Sequence, residues 1–190
     1  MKKKSFIMVL ALVLVFAVAV GGVVAWLTAT TGPVKNTFTV GDINIELKES
    51  KDLNLKMVPG NDIKKDPTVT VLAKSEACWL FVQVKESNNF STYMTYSINS
   101  EKWQQLTDKD GNAVAGVYYC KVDATAASAG VTYPVLAGDK VTVNQEVTKA
   151  MLENAKTDQP ELTFKAFAVQ IDNIANAFTA WGTIPAADKL

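Results

Sequence analysis

Ile43-Asn44-Ile45-Glu46-Leu47 and Phe81-Val82-Gln83-Val84-Lys85 are the two stretches that decide the fold. In the first, isoleucine and leucine alternate with asparagine and glutamate; in the second, valines alternate with glutamine and lysine. Successive side chains of an extended chain point to opposite faces, so this pattern predicts strands with one face buried and the other wet. Antiparallel sheets tolerate a solvated face, whereas parallel sheets are covered on both.

Outward from these stretches, the chain from Asn36 reads as short β-prone runs between turn signals, the pattern of an antiparallel jelly roll or β-sandwich. Predicted strands are Thr37 to Leu47, Thr68 to Ala73, Cys78 to Lys85, Met94 to Asn99, Val117 to Val122, Lys140 to Val143 and Leu162 to Ile171. Pro59-Gly60-Asn61-Asp62, Asp110-Gly111-Asn112 and Ala137-Gly138-Asp139 are turn clusters, in which Gly or Asn tolerates positive φ. Two short helices are expected, one from about Val147 to Asn154. The other runs from Asn173 as N-cap to Trp181, with Gly182 in the left-handed position after it.

At the N-terminus Lys2, Lys3 and Lys4 precede an unbroken apolar run from Phe6 to Val20, then Gly21-Gly22 and Val23-Val24-Ala25. This is the layout of a secretory signal peptide helix, residues 1–25. Val23 and Ala25 suit the extended conformation that signal peptidase binds, so cleavage is predicted between Ala25 and Trp26. The alternative is an uncleaved anchor, because about 22 apolar or small residues up to Leu27 approach the roughly 20 that span a bilayer. The glycine pair favours processing. On both readings the body lies outside the cytoplasm, and membrane contact is expected only through an uncleaved signal peptide.

Cys78 and Cys120 are the two cysteines of the chain, both in predicted strands. An oxidising compartment allows them to form a disulfide, closing a loop of about 42 residues for about 4 kcal/mol in the chain-entropy model. Two buried thiols are the other reading. Two cysteines without histidine do not make a structural zinc site, which takes four ligands.

Composition removes several function classes. All 19 basic residues are lysine, so the bidentate fork that reads guanine edges is missing, and no nucleic-acid partner is expected. Histidine is absent, and with it the commonest zinc ligand and neutral-pH general base. No GxSxG, HExxH, P-loop or GxGxxG occurs. Asp108-Lys109-Asp110-Gly111-Asn112 has the carboxylates of a calcium loop but not its spacing, since an EF-hand needs glycine sixth and glutamate twelfth; a solvated hairpin turn is expected. Asn89-Phe90-Ser91 matches a glycosylation acceptor by chance. Trp79, Phe81, Tyr118, Tyr119, Phe164 and Phe167 fall in strand runs and are expected to fill the core rather than to stack on a ligand.

Gly21-Gly22-Val23-Val24-Ala25-Trp26-Leu27-Thr28, followed by Asn36-Thr37-Phe38-Thr39-Val40-Gly41-Asp42-Ile43 and Glu46-Leu47, resembles the N-terminal part of the TasA/camelysin family. Val58-Pro59-Gly60-Asn61-Asp62 is similar to that family's Pro-Gly turn, and Leu162 to Gln170 looks like its last core strand. The resemblance is dense over the first fifty residues and loose beyond them. It implies a jelly-roll protein exported by a Gram-positive bacterium through a SipW-type signal peptidase. It further implies a secreted subunit of extracellular biofilm-matrix fibres, self-associating when one subunit's N-terminal segment completes its neighbour's sheet.

Once freed by cleavage, Trp26-Leu27-Thr28-Ala29-Thr30-Thr31 is β-capable, carries two large apolar anchors, and is tethered through Gly32-Pro33. An open sheet edge is a template for such a strand. A disordered terminus, or a segment folded back on its own domain, is the competing reading. Camelysins are described as metallopeptidases, but this chain lacks histidine and the HExxH helix that would activate a zinc-bound water. No catalytic residue, metal or cofactor is therefore expected. The expected organisation is a signal peptide at 1–25, a candidate donor strand within 26–35 and a jelly-roll domain at 36–190. A monomeric cell-surface adhesin or carbohydrate-binding β-sandwich is the alternative, and a peptidase comes third.

Overall fold

The strand expected from Thr37 begins only at Ile45 in the described part of the chain. The computed structural model describes residues 42–50 and 56–190. The predicted signal peptide, the segment 26–35 and the start of that first strand lie outside them. Asp42 to Asn44 are not strand, because their backbone groups bond to a turn: the Asn44 amide donates to the Ser75 hydroxyl at 3.1 Å, and the Asn44 carbonyl accepts from Leu72 at 2.8 Å.

The strands among the described residues are β1 (Ile45–Lys48), β2 (Asp62–Lys64), β3 (Thr68–Val71), β4 (Cys78–Glu86), β5 (Met94–Thr95), β6 (Gln104–Thr107), β7 (Ala113–Val122), β8 (Val131–Pro134), β9 (Lys140–Val143) and β10 (Leu162–Gln170). The helices are α1 (Phe90–Tyr93), α2 (Ala124–Ala129), α3 (Lys149–Asn154) and α4 (Ala177–Thr183). Every strand pairing is antiparallel. The protein is therefore all-β, with a few short helices.

One layer is the four-stranded sheet β10-β4-β7-β6. Facing it are β1-β3-β8 and β2-β9-β5, which adjoin beyond β5 and β8 through bonds from the Asn99 amide to the Val135 carbonyl and from the Ala137 amide to the Ser97 carbonyl, each 2.9 Å, and a bridge between Ile98 and Leu136. A single core lies between the layers. Leu80 and Val82 of β4 meet Val69 and Val71 of β3 and Val141 and Val143 of β9, all essentially removed from water. Burying each such side chain is worth about 1.5–3 kcal/mol, which makes this core the main stabilising feature.

The alternation in β4 has a different meaning from the one expected. Its second face is wet only towards its end: α4 covers it at Phe81, while Gln83 is half-buried and Lys85 is exposed. Phe81, on that face, is fully buried against Trp181, with ring centroids 5.4 Å apart, and Phe167 meets the same indole edge-on at 5.5 Å. The helix starts later than expected. Asn176 is the N-cap, accepting from the Thr179 amide at 2.8 Å, whereas Asn173 sits in the left-handed region at φ 64°. Gly182 is inside α4 and the helix ends at Thr183, capped by the extended Ile184, so no left-handed glycine terminates it. The other expected helix starts at Lys149, with the Thr148 hydroxyl accepting from the Met151 amide.

The turn clusters behave as their residues dictate. Pro59-Gly60 forms a turn closed by the Asn61 amide on the Val58 carbonyl, with Gly60 at φ 76°. Asp108 organises the β6–β7 hairpin, its carboxylate accepting from the amides of Asp110 and Asn112 and from the Asn112 side chain. Those bonds, led by the one from the Asn112 side chain, hold its pKa below the usual carboxylate range.

Candidate functional site

The predicted cleavage pair Ala25 and Trp26, and the donor segment Trp26, Leu27, Thr28, Ala29, Thr30 and Thr31, all lie outside the described residues. Cys78 and Cys120 are described, and both are free thiols. In the β4–β7 register Cys120 lies opposite Leu80, and Cys78 opposite Val122. The cysteines are therefore diagonal neighbours on the inner face. Diagonal residues of an antiparallel pair stand about 7–8 Å apart, beyond the usual reach of a disulfide. Burial pushes the Cys78 thiol up to about 11 and the Cys120 thiol up to about 12, so neither is a ready nucleophile near neutral pH.

What the structure brings together was not visible in the sequence. A cleft of about 670 Å³ is walled by Met57, Ile63, Phe90, Met94, Leu152 and Leu162. These residues come from β2, α1, β5, α3, the start of β10 and the turn before β2. Lys65 and Lys156 stand at the cleft, each paired with a neighbouring carboxylate: Lys65 with Glu49 at 2.8 Å and Lys156 with Glu153 at 2.6 Å. The lining is thus mainly apolar, with two ion-paired lysines and the exposed Glu161 beside it.

The cleft adjoins a sheet edge. β10 pairs with β4 along its whole nine-residue length and, among the described residues, with nothing on its other side. Its inward residues Leu162, Phe164, Ala166 and Ala168 are only half-buried, whereas Leu80 and Val82 opposite Ala168 and Ala166 are fully buried. The opposite edge, β6, has four residues and a register irregularity between Gln105 and Thr107.

The aromatic residues of the outer face are engaged with one another. Trp79 and Tyr119 lie 6.0 Å apart, and Lys121 and Lys189 lie over the rings of Trp79 and Trp181. Of the six aromatics expected in the core, Phe81 is fully buried and the other five are half-buried. Among the described residues no three acidic or cysteine side chains converge as a metal site requires, and no helix is long and apolar enough to cross a membrane.

Comparison with protein-family models, curated proteins and solved structures found no match to this chain.

Proposed function

We propose that the protein is a secreted structural subunit of extracellular matrix fibres, with a jelly-roll domain that assembles by donation of its N-terminal strand. The observation that carries this reading is the long edge of β10, unpaired among the described residues, in a chain that also holds a β-capable segment without charged side chains, Trp26 to Thr31, directly after a predicted signal-peptidase site. Long edge strands in soluble proteins are ordinarily shortened, bulged or covered, because unpaired backbone groups recruit other chains. Two antiparallel layers around one core support the jelly-roll reading. The absence of histidine from the sequence weighs against a peptidase. The mutual packing of the outer aromatic rings weighs against the carbohydrate-binding alternative.

On this reading a signal peptidase of the SipW type releases Trp26, main-chain hydrogen bonds supply generic affinity, and the apolar anchors fix register. Deleting Trp26 to Thr31 from the processed protein is expected to abolish polymerisation, seen by sedimentation velocity, while the far-ultraviolet circular dichroism of the β domain is unchanged. Undiminished fibres from that truncation would overturn strand donation.

A further inference from the structure

The inward-facing residues of β4 do not stay apolar to the end of the strand. Leu80, Val82 and Val84 lie between the layers, and the next position of the same alternation is Glu86, the last residue of the strand. Tyr118 of β7, opposite Val82 in the register, shares this face. From the other layer Tyr96, just after β5, donates its hydroxyl to Glu86 Oε1 at 2.8 Å. Phe90 of α1 meets the Tyr96 ring nearly edge-on, with centroids 5.8 Å apart. These four residues, with Met94 and Ile98, line a recess of about 280 Å³ that shares only Phe90 and Met94 with the larger cleft.

Glu86 is the one charged residue in the lining of the recess, and among the described residues it has no ion-pair partner. Both phenols feel it. Burial pushes the Tyr96 hydroxyl up, and the hydrogen bond to Glu86 and its charge push it further; burial and then the Glu86 charge raise Tyr118. The rings therefore stay neutral near physiological pH, beside a single carboxylate. We infer that this recess binds a small methylated ammonium ion of the choline class, a role independent of strand donation. The carboxylate complements the charge, and a cation within about 6 Å of an aromatic face is attracted by the ring quadrupole. Phe90, Met94 and Ile98 give the methyl groups apolar neighbours. A primary ammonium fits less well, because its three N–H donors each want an acceptor.

The test is a titration of the full chain with choline chloride at constant ionic strength, the tyrosine ring resonances being followed by NMR, beside the neutral isostere 3,3-dimethylbutan-1-ol. Saturable shifts of Tyr96 and Tyr118 with choline are expected, and the isostere should bind about tenfold more weakly. Glu86→Gln keeps an acceptor for the Tyr96 hydroxyl but removes the charge, and should weaken choline binding about tenfold at an unchanged circular dichroism spectrum. Tyr118→Leu keeps bulk but removes a ring; it should cost about fivefold and serves if the first variant does not fold. Glu161→Gln, at the neighbouring cleft, should bind choline as the wild type does. Saturable shifts lost in the recess variants and kept in Glu161→Gln would support the site. Absence of saturable shifts in the wild type, equal affinity for the isostere, or choline binding unchanged in both recess variants would overturn it. An equal loss in Glu161→Gln would show diffuse charge attraction and overturn it as well.

Discussion

The two edges of the four-stranded sheet are built differently. β6 is short, its register is broken between Gln105 and Thr107, and the Gln105 side-chain amide donates to the carbonyls of Val114 and Val117 at 2.8 and 2.9 Å. Leu106 pins it to the outer cluster and is almost fully buried. β10 has more than twice the length, no register shift and half-buried apolar side chains beside a cleft. Among the described residues the same sheet thus carries one edge blunted against pairing and one left unpaired. Blunting is the ordinary condition of a monomer's edge, so the contrast makes the β10 side the place to test the proposed strand donation.

The contrast can be broken most forcefully at the centre both edges share. Phe81→Ala removes a fully buried ring that packs under α4, and an expected loss of about 4 kcal/mol should lower the urea midpoint and expose both edges together. Gly116→Ala acts where β7 meets β4. Gly116 holds φ at 66°, and a Cβ there would collide with the Val84 carbonyl oxygen, so β7 must shift. A loss of about 3 kcal/mol is expected in the same assay.

A smaller effect sharpens the comparison through pH. Cys78 and Cys120 lie on the inner face between the edges, with thiol pKa values raised from 9.0 to about 11 and about 12. A raised folded-state value means the neutral thiol is favoured in the folded protein, so this contribution is complete below pH 9 and lost as pH rises towards 11. Stability by urea titration should fall over that window, and the fall should shrink in Cys78→Ala. An unchanged alkaline fall in that variant would mean that the thiol is not buried as described.

Some of this architecture was legible in the residues. Lys140 to Val143 became β9 with the bounds its alternation predicts, and Cys78 to Lys85 became β4 with one added residue. β2, β6 and β8 were not legible: Asp62-Ile63-Lys64 and Gln104-Gln105-Leu106-Thr107 each contain one large apolar residue, and Val131 to Pro134 ends in proline. Such short strands owe their existence to tertiary pairing rather than to local pattern. The second buried face of β4 was hidden because its cover, α4, comes from nearly a hundred residues downstream. Asn173 and Asn176 have the same chemistry, so choosing the helix cap between them needed backbone angles. The cleft was invisible for a related reason: its walls come from β2, α1, β5, α3 and β10, and no motif joins them.

The most direct test of the central claim is negative-stain electron microscopy of processed protein beginning at Trp26, beside the same protein carrying a blocking N-terminal extension. Regular filaments in the free-terminus sample alone are the predicted result, and monomers in both samples would contradict it.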